Sequence, residues 1–439
     1  MSPLDESRPS GPGGPVLLHH LRLIDGSGRE PVPDAALLIE GETVRWAGPG
    51  AELAPAQGPV TRVDLGGRTV CPGFVDAHVH FALPGPGASP VLGLYELPSY
   101  RTLKVLERLR VTLENGVTTA RDLMGLDAGF RQAVAERRIP GPRLLVAVAM
   151  LSQRAGHADF TLAGGIDGLA LAVAFPQSPP GLVNSVDEMR ARVRDLVAVG
   201  ADCVKLATSG GLASPHDRPE WLGLRHEMVR AAVEEAEAYG GLPVAAHAIG
   251  RPGIEAAVRC GVDSVEHGYA LDDELRAEMV DRGQYLVPTL LETTQDLDPA
   301  RTSPKAYEKG VRWHRVAQES VARSVGAGVR IAMGTDSGLA VAHGHNLEEL
   351  GLLVSIGGMA PMDALVAGTS GAARLCGVGD VTGTLEAGKA ADLVVTDVDP
   401  LRDLAALGDP AHILAVVKEG RTAVDRAGVL GGALPPLCP

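Results

Sequence analysis

Cysteine is scarce in this 439-residue sequence, and its five residues lie far apart. They form no CxxC pair, so we expect neither a disulfide framework nor a zinc ribbon, and a reducing cytoplasm is the predicted location. Apolar runs of membrane-spanning length are also missing, as is the apolar core of a secretory signal peptide. Residues 1–15, rich in Ser, Pro and Gly, are expected to form a disordered tail.

Basic clusters and aromatic residues are few as well. Lys and Arg number 40 against 54 Asp and Glu, which gives a net charge of −14. Because no Lys/Arg cluster stands out, nucleic acid and anionic membranes are not expected partners. The aromatic content of 3% leaves few stacking surfaces for a large planar substrate. A small-molecule substrate is therefore the expected partner, and the pattern specifies no oligomeric state, so a homo-oligomer stays open.

The two ends of the chain are rich in strand-like patterns. Short apolar segments flank Glu40-Gly41-Glu42 near the N-terminus and Glu419-Gly420 near the C-terminus, as in β-hairpins. We therefore predict a small β-sandwich domain built from both termini, residues 16–72 plus 376–439.

The middle of the chain, residues 73–375, alternates short apolar runs with amphipathic helical patterns. This alternation predicts an α/β fold, specifically a (β/α)8 barrel, in which chemistry lies at the carboxyl ends of the strands. The eight candidate strands are Phe74–His78, Val117–Arg121, Leu144–Val148, Cys203–Ala207, Val244–Ala246, Ser264–Glu266, Tyr285–Pro288 and Val329–Met333.

Two histidines close the first predicted strand of this barrel. His78 and His80 are two residues apart, so a strand points both imidazoles to the same side. A single histidine there would more often be a core residue with a satisfied hydrogen bond. A pair at the end of a strand favours a metal ion, because two buried imidazoles without partners are costly.

Other ionisable residues fall at the ends of later strands. Lys205 lies among Val, Leu and Ala in the fourth strand, where a buried lysine must be paired, neutral or chemically modified. His247 ends the fifth strand, His267 the sixth and Asp336 the eighth. Each alone could be a cap, a core hydrogen-bonding group or, for the lysine, a solvated edge residue. Their common position at one end of the barrel predicts a metal centre.

This order of residues resembles that of the amidohydrolase superfamily. The segment Cys71–His80 is similar to the opening signature of that superfamily, and Gly383–Val395 is similar to its closing signature. The likeness extends over nearly the whole chain. It implies a binuclear centre in which carbon dioxide carboxylates Lys205 and the resulting carbamate bridges two divalent ions.

The resemblance also assigns roles to the metal-binding residues. It implies that His78, His80 and Asp336 hold the more buried ion, and that His247 and His267 hold the outer one. Zinc is the expected metal, with cobalt, manganese and iron as alternatives. A metal-bridging hydroxide would attack the substrate, and Asp336 would take its proton and pass it to the leaving nitrogen. His267 and Asp336 are accordingly the predicted catalytic residues.

The substrate class follows from the branch that the chain resembles. Single-metal deaminases typically carry Glu after the fifth-strand histidine, but here His247 is followed by Ala248, and imidazolonepropionase-like enzymes usually lack the lysine. The segment from Val204 to Pro215 is similar instead to prolidase-like dipeptidases and carboxypeptidases, whose relatives hydrolyse toxins, carbamates and ureas. We expect cleavage of an amide-type C–N bond in a dipeptide, an N-acyl amino acid, or a carbamate- or urea-like compound.

Four residues are predicted to contact the substrate. His157 and His343 match substrate-side histidines of that branch, although a solvated loop histidine is an equal reading of each. Where branch members often carry Gln, an aromatic residue and Ser, this chain has Gly223-Leu224-Arg225. Leu224 indicates a more apolar pocket, and Arg225 would meet a substrate carboxylate or face water. This departure argues against ordinary dipeptidase specificity.

Two other functions stay open on the sequence. The same two-metal site would hydrolyse lactones or phosphotriesters. A non-catalytic barrel that acts as an assembly scaffold is a second alternative, although every metal-ligand position is filled.

Overall fold

The computed structural model describes residues 14–55, 58–83, 85–86, 96–161, 164–165, 178–212, 217–295 and 304–438. Most of the predicted N-terminal tail, and Ser214-Pro215 of the prolidase-like segment, lie outside these residues. In the described part of the chain, no helix is long and apolar enough to cross a bilayer.

Strands occur along the whole described chain. In order they are β1 Val16–Leu23, β2 Val32–Glu40, β3 Thr43–Pro49, β4 Thr61–Asp64, β5 Thr69–Pro72, β6 Phe74–Val79, β7 Val117–Asp122, β8 Arg143–Val146, β9 Met150–Leu151, β10 Val204–Ala207, β11 Val244–Ala248, β12 Ser264–His267, β13 Tyr285–Val287, β14 Arg330–Ile331, β15 Leu393–Thr396, β16 Ile413–Lys418 and β17 Arg421–Asp425.

Helices separate the central strands. They are α1 Pro98–Glu114, α2 Ala128–Ala135, α3 Val186–Ala198, α4 His226–Ala238, α5 Arg251–Cys260, α6 Asp273–Arg282, α7 Leu290–Thr293, α8 Pro304–Gly326, α9 Glu348–Ser355, α10 Pro361–Val366 and α11 Ala372–Leu375, with a π-helical turn at Ala367–Gly371.

The strands of the two termini form one sheet of eight strands. Its order is β17-β16-β15-β5-β1-β2-β3, with β4 paired to β1. Strand β5 joins the two halves, because it pairs in parallel with β1 and antiparallel with β15. This single mixed sheet curls so that β3 reaches the segment before β15, where the Val44 amide donates to the Lys389 carbonyl, and it encloses its own hydrophobic core.

All eight predicted central strands are present, and the fold is α/β as expected. Strands β6, β7 and β8 form one parallel sheet, and β9 to β14 form a second. Backbone hydrogen bonds from Ala77 to Met333 and from His80 to Ser337 join the first strand to the end of the last. The carboxyl ends of these strands consequently lie together.

A buried ion pair connects the curled sheet to the central strands. Arg143 in β8 donates to Asp392 at 2.7 Å and to Glu419 at 3.0 Å. Asp392 is buried and also accepts from the Thr382 hydroxyl. The aspartate of the closing sequence signature thus has a structural role at this junction.

Candidate metal centre

The six predicted metal ligands lie at the carboxyl ends of five parallel strands. They are His78 and His80 from β6, Lys205 from β10, His247 from β11, His267 from β12 and Asp336 after β14. All except Asp336 are buried, and the Asp336 side chain is 20% exposed. The structure therefore brings together residues that are up to 258 positions apart in the sequence.

The inner part of the centre is a group of two imidazoles and one carboxylate. Oδ1 of Asp336 lies 3.2 Å from Nε2 of His80 and 3.5 Å from Nε2 of His78. Two nitrogens and one oxygen that converge in this way can hold a divalent ion. The histidines outweigh burial and hold the pKa of Asp336 well below its usual range, so the carboxylate is ionised.

Lys205 is the least satisfied residue of the centre. Its Nζ atom is buried and has no hydrogen-bond partner among the described residues. Burial lowers the pKa of Lys205 to about 8, although the nearby Glu266 and Asp336 carboxylates oppose this shift. An amine of this kind fits chemical modification better than an ordinary buried ammonium ion.

The outer part of the centre contains His247 and His267, whose ring centroids are 4.6 Å apart. Nδ1 of His267 lies 2.8 Å from the Thr289 hydroxyl oxygen, which fixes the ring and leaves Nε2 for a metal ion. Burial lowers the pKa of His267 to about 4 and that of His247 well below its usual value. Both imidazoles are neutral at physiological pH, as metal ligation requires.

The backbone around the centre adopts left-handed conformations. His267, Thr289 and Asp336 have φ values of 69°, 49° and 56°. Such φ values are uncommon outside glycine and cluster at functional sites. Gly334 lies beside them, and a Cβ atom there would fall 2.8 Å from Cβ of His78. The chain after β14 can approach His78 this closely because residue 334 has no side chain.

Asp76, which the sequence analysis did not select, holds the first strand end in place. One of its oxygens accepts from the His78 amide at 3.0 Å. The other accepts from the Thr335 hydroxyl and from Asn346, each at 2.7 Å. Because Thr335 precedes Asp336, the buried Asp76 carboxylate connects the strand end that carries His78 to the segment that carries Asp336.

A buried arginine and glutamate support His78 from its other side. Oε2 of Glu266 lies 2.9 Å from Nδ1 of His78, with an angle outside the hydrogen-bond range, so the contact is chiefly electrostatic. Arg121 donates to Oε1 of Glu266 at 3.0 Å and to the Ala77 carbonyl at 2.7 Å. Arrangements of this carboxylate–histidine type orient metal ligands.

A further carboxylate beside the centre, Glu292 of α7, was also missed. The hydroxyl of Tyr269 donates to its Oε2 at 3.4 Å, and Nδ1 of His267 lies 3.9 Å away. Burial and the Asp336 carboxylate raise the pKa of Glu292 well above its usual value. Glu349 of α9 fixes the start of α7, since its oxygens accept from the Leu290 and Leu291 amides.

The two predicted substrate histidines lie against metal ligands. The His157 ring stacks on the His247 ring, with their centroids 4.0 Å apart. Nδ1 of His157 has no hydrogen bond among the described residues and lies 3.8 Å from Oδ2 of Asp217. The His343 ring stacks on Phe81, and its Nε2 lies 3.3 Å from the His80 carbonyl oxygen. Burial lowers the pKa of His343 to about 3, so this ring is neutral.

Leu224 and Arg225 occupy different environments. The Leu224 side chain is fully buried in the hydrophobic core that includes Leu206 and Met228, so it offers no surface to a substrate and does not fit the predicted role. Arg225 is exposed at the residue preceding α4, and its contact with a substrate stays a prediction.

Comparison with known proteins agrees with this geometry. Residues 69–423 match the Amidohydrolase family. An ochratoxinase from Aspergillus niger is 30% identical over 410 residues, which cover 91% of this chain and 84% of the relative.

Solved structures give the same result. The crystal structure of a Xaa-Pro dipeptidase with bound methionine aligns with a TM-score of 0.81 at 29% identity, covering 93% of this chain and 99% of that one. A prolidase complexed with N-methylphosphonate-L-proline aligns with a TM-score of 0.84 at 28% identity, covering 94% and 100%.

Family and site together define a hydrolase that acts on carbon–nitrogen bonds. The chain belongs to the amidohydrolase family.

Proposed function

We propose that this hydrolase is a binuclear metal enzyme that cleaves amide bonds of small molecules. His78, His80 and Asp336 would hold one divalent ion, and His247 and His267 would hold the other. Zinc is the expected metal. Lys205, as its carbamate, would span both. The observation that carries this proposal is the buried, unpartnered Nζ of Lys205, which is near enough to His78 and to His247 to lower the pKa of both.

Charge supports a modified lysine. An ammonium ion at Lys205 would place a third cation beside two metal dications in a buried site. Its carbamate is an anion and removes that repulsion. The His247 and His267 imidazoles contribute no charge, because burial lowers their pKa values and keeps them neutral. Carboxylation therefore makes the same side chain compatible with both ions.

The chain's own residues account for proton movement and substrate orientation. Bound divalent ions supply a hydroxide nucleophile near neutral pH and polarise the scissile carbonyl. Asp336 accepts the proton at Oδ1 or Oδ2 and delivers it to the leaving nitrogen. His157 has an unpartnered ring nitrogen beside His247 and donates a hydrogen bond to the substrate. Thr289 holds the His267 ring in its orientation.

The substrate range is proposed from the relatives and from the site. Xaa-Pro dipeptides and ochratoxins are the first compounds to test, because the relatives carry those names. Leu224 stands where the prolidase-like pattern has an aromatic residue, and because its side chain is buried it cannot replace that residue's contact with a substrate. N-acyl amino acids, carbamates and ureas are therefore tested beside dipeptides.

Turnover of a substrate panel tests the proposal. Xaa-Pro dipeptides, N-acyl amino acids, ochratoxins, aryl carbamates, lactones and phosphotriesters would be assayed with protein produced in zinc and bicarbonate. We expect hydrolysis of at least one amide-type class, with two metal ions per chain by elemental analysis. Turnover confined to lactones or phosphotriesters would support the ester-hydrolase alternative. A folded chain without transition metal would support the scaffold alternative.

The architecture proposed for the enzyme follows from the same elements. We propose that the two parallel sheets close into a (β/α)8 barrel over residues 73–375. The backbone bonds between the β6 end and the segment after β14 support closure on one side. Residues 16–72 plus 376–439 would form the small β-domain, since their strands share one sheet and one core.

A further inference from the structure

Glu292 is an acidic side chain at the metal centre that the proposed set of six ligands does not use. Its carboxylate, an Asp336 oxygen and a His267 nitrogen all lie within 4.8 Å of one another. The Glu292 side chain is 21% exposed, close to the 20% of Asp336. Three ligand atoms at this spacing can share one divalent ion.

The protein fixes Glu292 in this position from two directions. Glu349 binds both amides at the start of α7, as described above, and Thr289 just before the helix contacts His267 at 2.8 Å. The Tyr269 hydroxyl donates to the Glu292 carboxylate, as is usual for carboxylates that bind metals. The short helix α7 therefore presents this carboxylate to His267 and Asp336.

A compensating protein cation is missing at this position. Within the described residues, His267 is the only basic side chain within ion-pair distance of Glu292. Glu292 therefore lies beside the Asp336 carboxylate without a lysine or arginine of its own. A divalent ion beside them would remove this repulsion.

We propose that the Glu292 carboxylate is a further ligand of the outer metal ion, the one that His267 holds, on the side that faces Asp336. This inference depends on the proposed binuclear centre. Two dications, a carbamate, Asp336 and a hydroxide leave one net positive charge in a buried site, and Glu292 neutralises it. The outer ion then has a charged protein ligand of its own in addition to the shared Lys205.

Metal binding by a Glu292→Gln variant tests the proposal without reference to activity. The measurement is zinc per chain by elemental analysis, followed by zinc affinity in competition with a chelator. We expect the wild type to hold two ions. The variant should keep the inner ion and bind the outer ion more weakly. We expect a loss of affinity of roughly 10- to 100-fold or more, since loss of a residue that only supports a metal ligand already costs this much. Glu292→Asp, which keeps the charge, should recover part of this loss.

Glu255→Gln is the matched control. Glu255 is 25% exposed, similar to Glu292, but pairs with two arginines on α5. The Glu255→Gln variant should bind both ions with the affinity of the wild type. Equal affinity for two ions in wild type and Glu292→Gln would overturn the role of Glu292 and leave the binuclear centre intact. A wild type that binds no zinc would overturn the proposed function and this inference together.

Discussion

Replacing Glu266 by Gln should destabilise the protein more than a single side-chain change normally does. Glu266 is fully buried between Arg121 and His78, so the substitution leaves the arginine charge without its partner. Removing one member of a buried ion pair costs roughly 3–5 kcal/mol. We expect the melting temperature of the metal-free variant, measured by calorimetry, to fall by roughly 3–5 °C, because a chain of 439 residues has an unfolding entropy of about 0.9 kcal/mol per kelvin.

The same change should weaken zinc binding. Nδ1 of His78 loses the carboxylate 2.9 Å away that orients the ring. Loss of such a partner typically costs 10- to 100-fold in metal affinity, or roughly 1.4–2.7 kcal/mol. Chelator competition on the folded variant measures this second effect separately from stability.

An exposed pair in the same protein provides the control. Glu234 pairs with Arg190 at 3.3 Å, and its side chain is 57% exposed. Glu234→Gln should change stability by less than about 1 kcal/mol. Arg121→Met combined with Glu266→Gln should be more stable than either single variant, because no unpaired charge remains. If Glu266→Gln and Glu234→Gln have the same melting temperature, the buried ion pair contributes no more to stability than an exposed one does.

Three further outcomes are expected. Lys205→Ala should lose activity and the second metal ion, with partial recovery from added short carboxylates, and wild-type activity in this variant would contradict the carbamate bridge. Burial raises the pKa of Glu349 to about 8, so the folded state binds a proton that the unfolded state lacks at pH values between about 4.5 and 8. The stability that this group contributes is present below about pH 4.5 and is lost as the pH rises towards 8. In the metal-free protein, Glu349→Gln should therefore flatten the decline in melting temperature over this pH range. Parallel curves of melting temperature against pH for wild type and variant would show that Glu349 does not cause the decline. Gly334→Ala should lower the free energy of unfolding, measured by calorimetry, by roughly 1–3 kcal/mol, because its Cβ atom would lie 2.4 Å from Val287. As a control, the Cβ atom of Gly326→Ala in α8 would meet no atom within 4 Å, so this variant should be as stable as the wild type or more stable.

The sequence predicted eight central strands and the convergence of six candidate ligands because both depend on local patterns. Apolar runs of strand length mark β6 to β8 and β10 to β14, whereas the two-residue β9 was not predicted, and the candidate ligands lie within or just after these runs. Parallel strands then place their carboxyl ends together, so six distant residues could be assigned to one centre. The single sheet of the termini was less predictable, since β5 pairs with strands from both ends of the chain.

Glu266 and Glu292 could not be selected from the sequence for different reasons. In a regular strand, Glu266 would point away from the face that carries His267. The left-handed backbone at His267 ends this alternation, and both residues lie beside His78. Glu292 lies on a four-residue helix after β13, and its direction depends on the contact of α7 with Glu349 of α9 and on the hydrogen bond from Tyr269. Neither effect leaves a periodic signal in the sequence.

Strand β5 also sets the order in which the protein can assemble during synthesis. Val70 in β5 pairs with Val395 in β15, so more than 300 residues must be translated between the two strands. At bacterial or eukaryotic elongation speeds this takes roughly 15–60 s. During that interval β5 exposes an unpaired edge immediately before β6, at whose end the first two predicted metal ligands lie. The central strands therefore emerge while the sheet that flanks them is incomplete, and protection of this edge by a chaperone would favour correct folding.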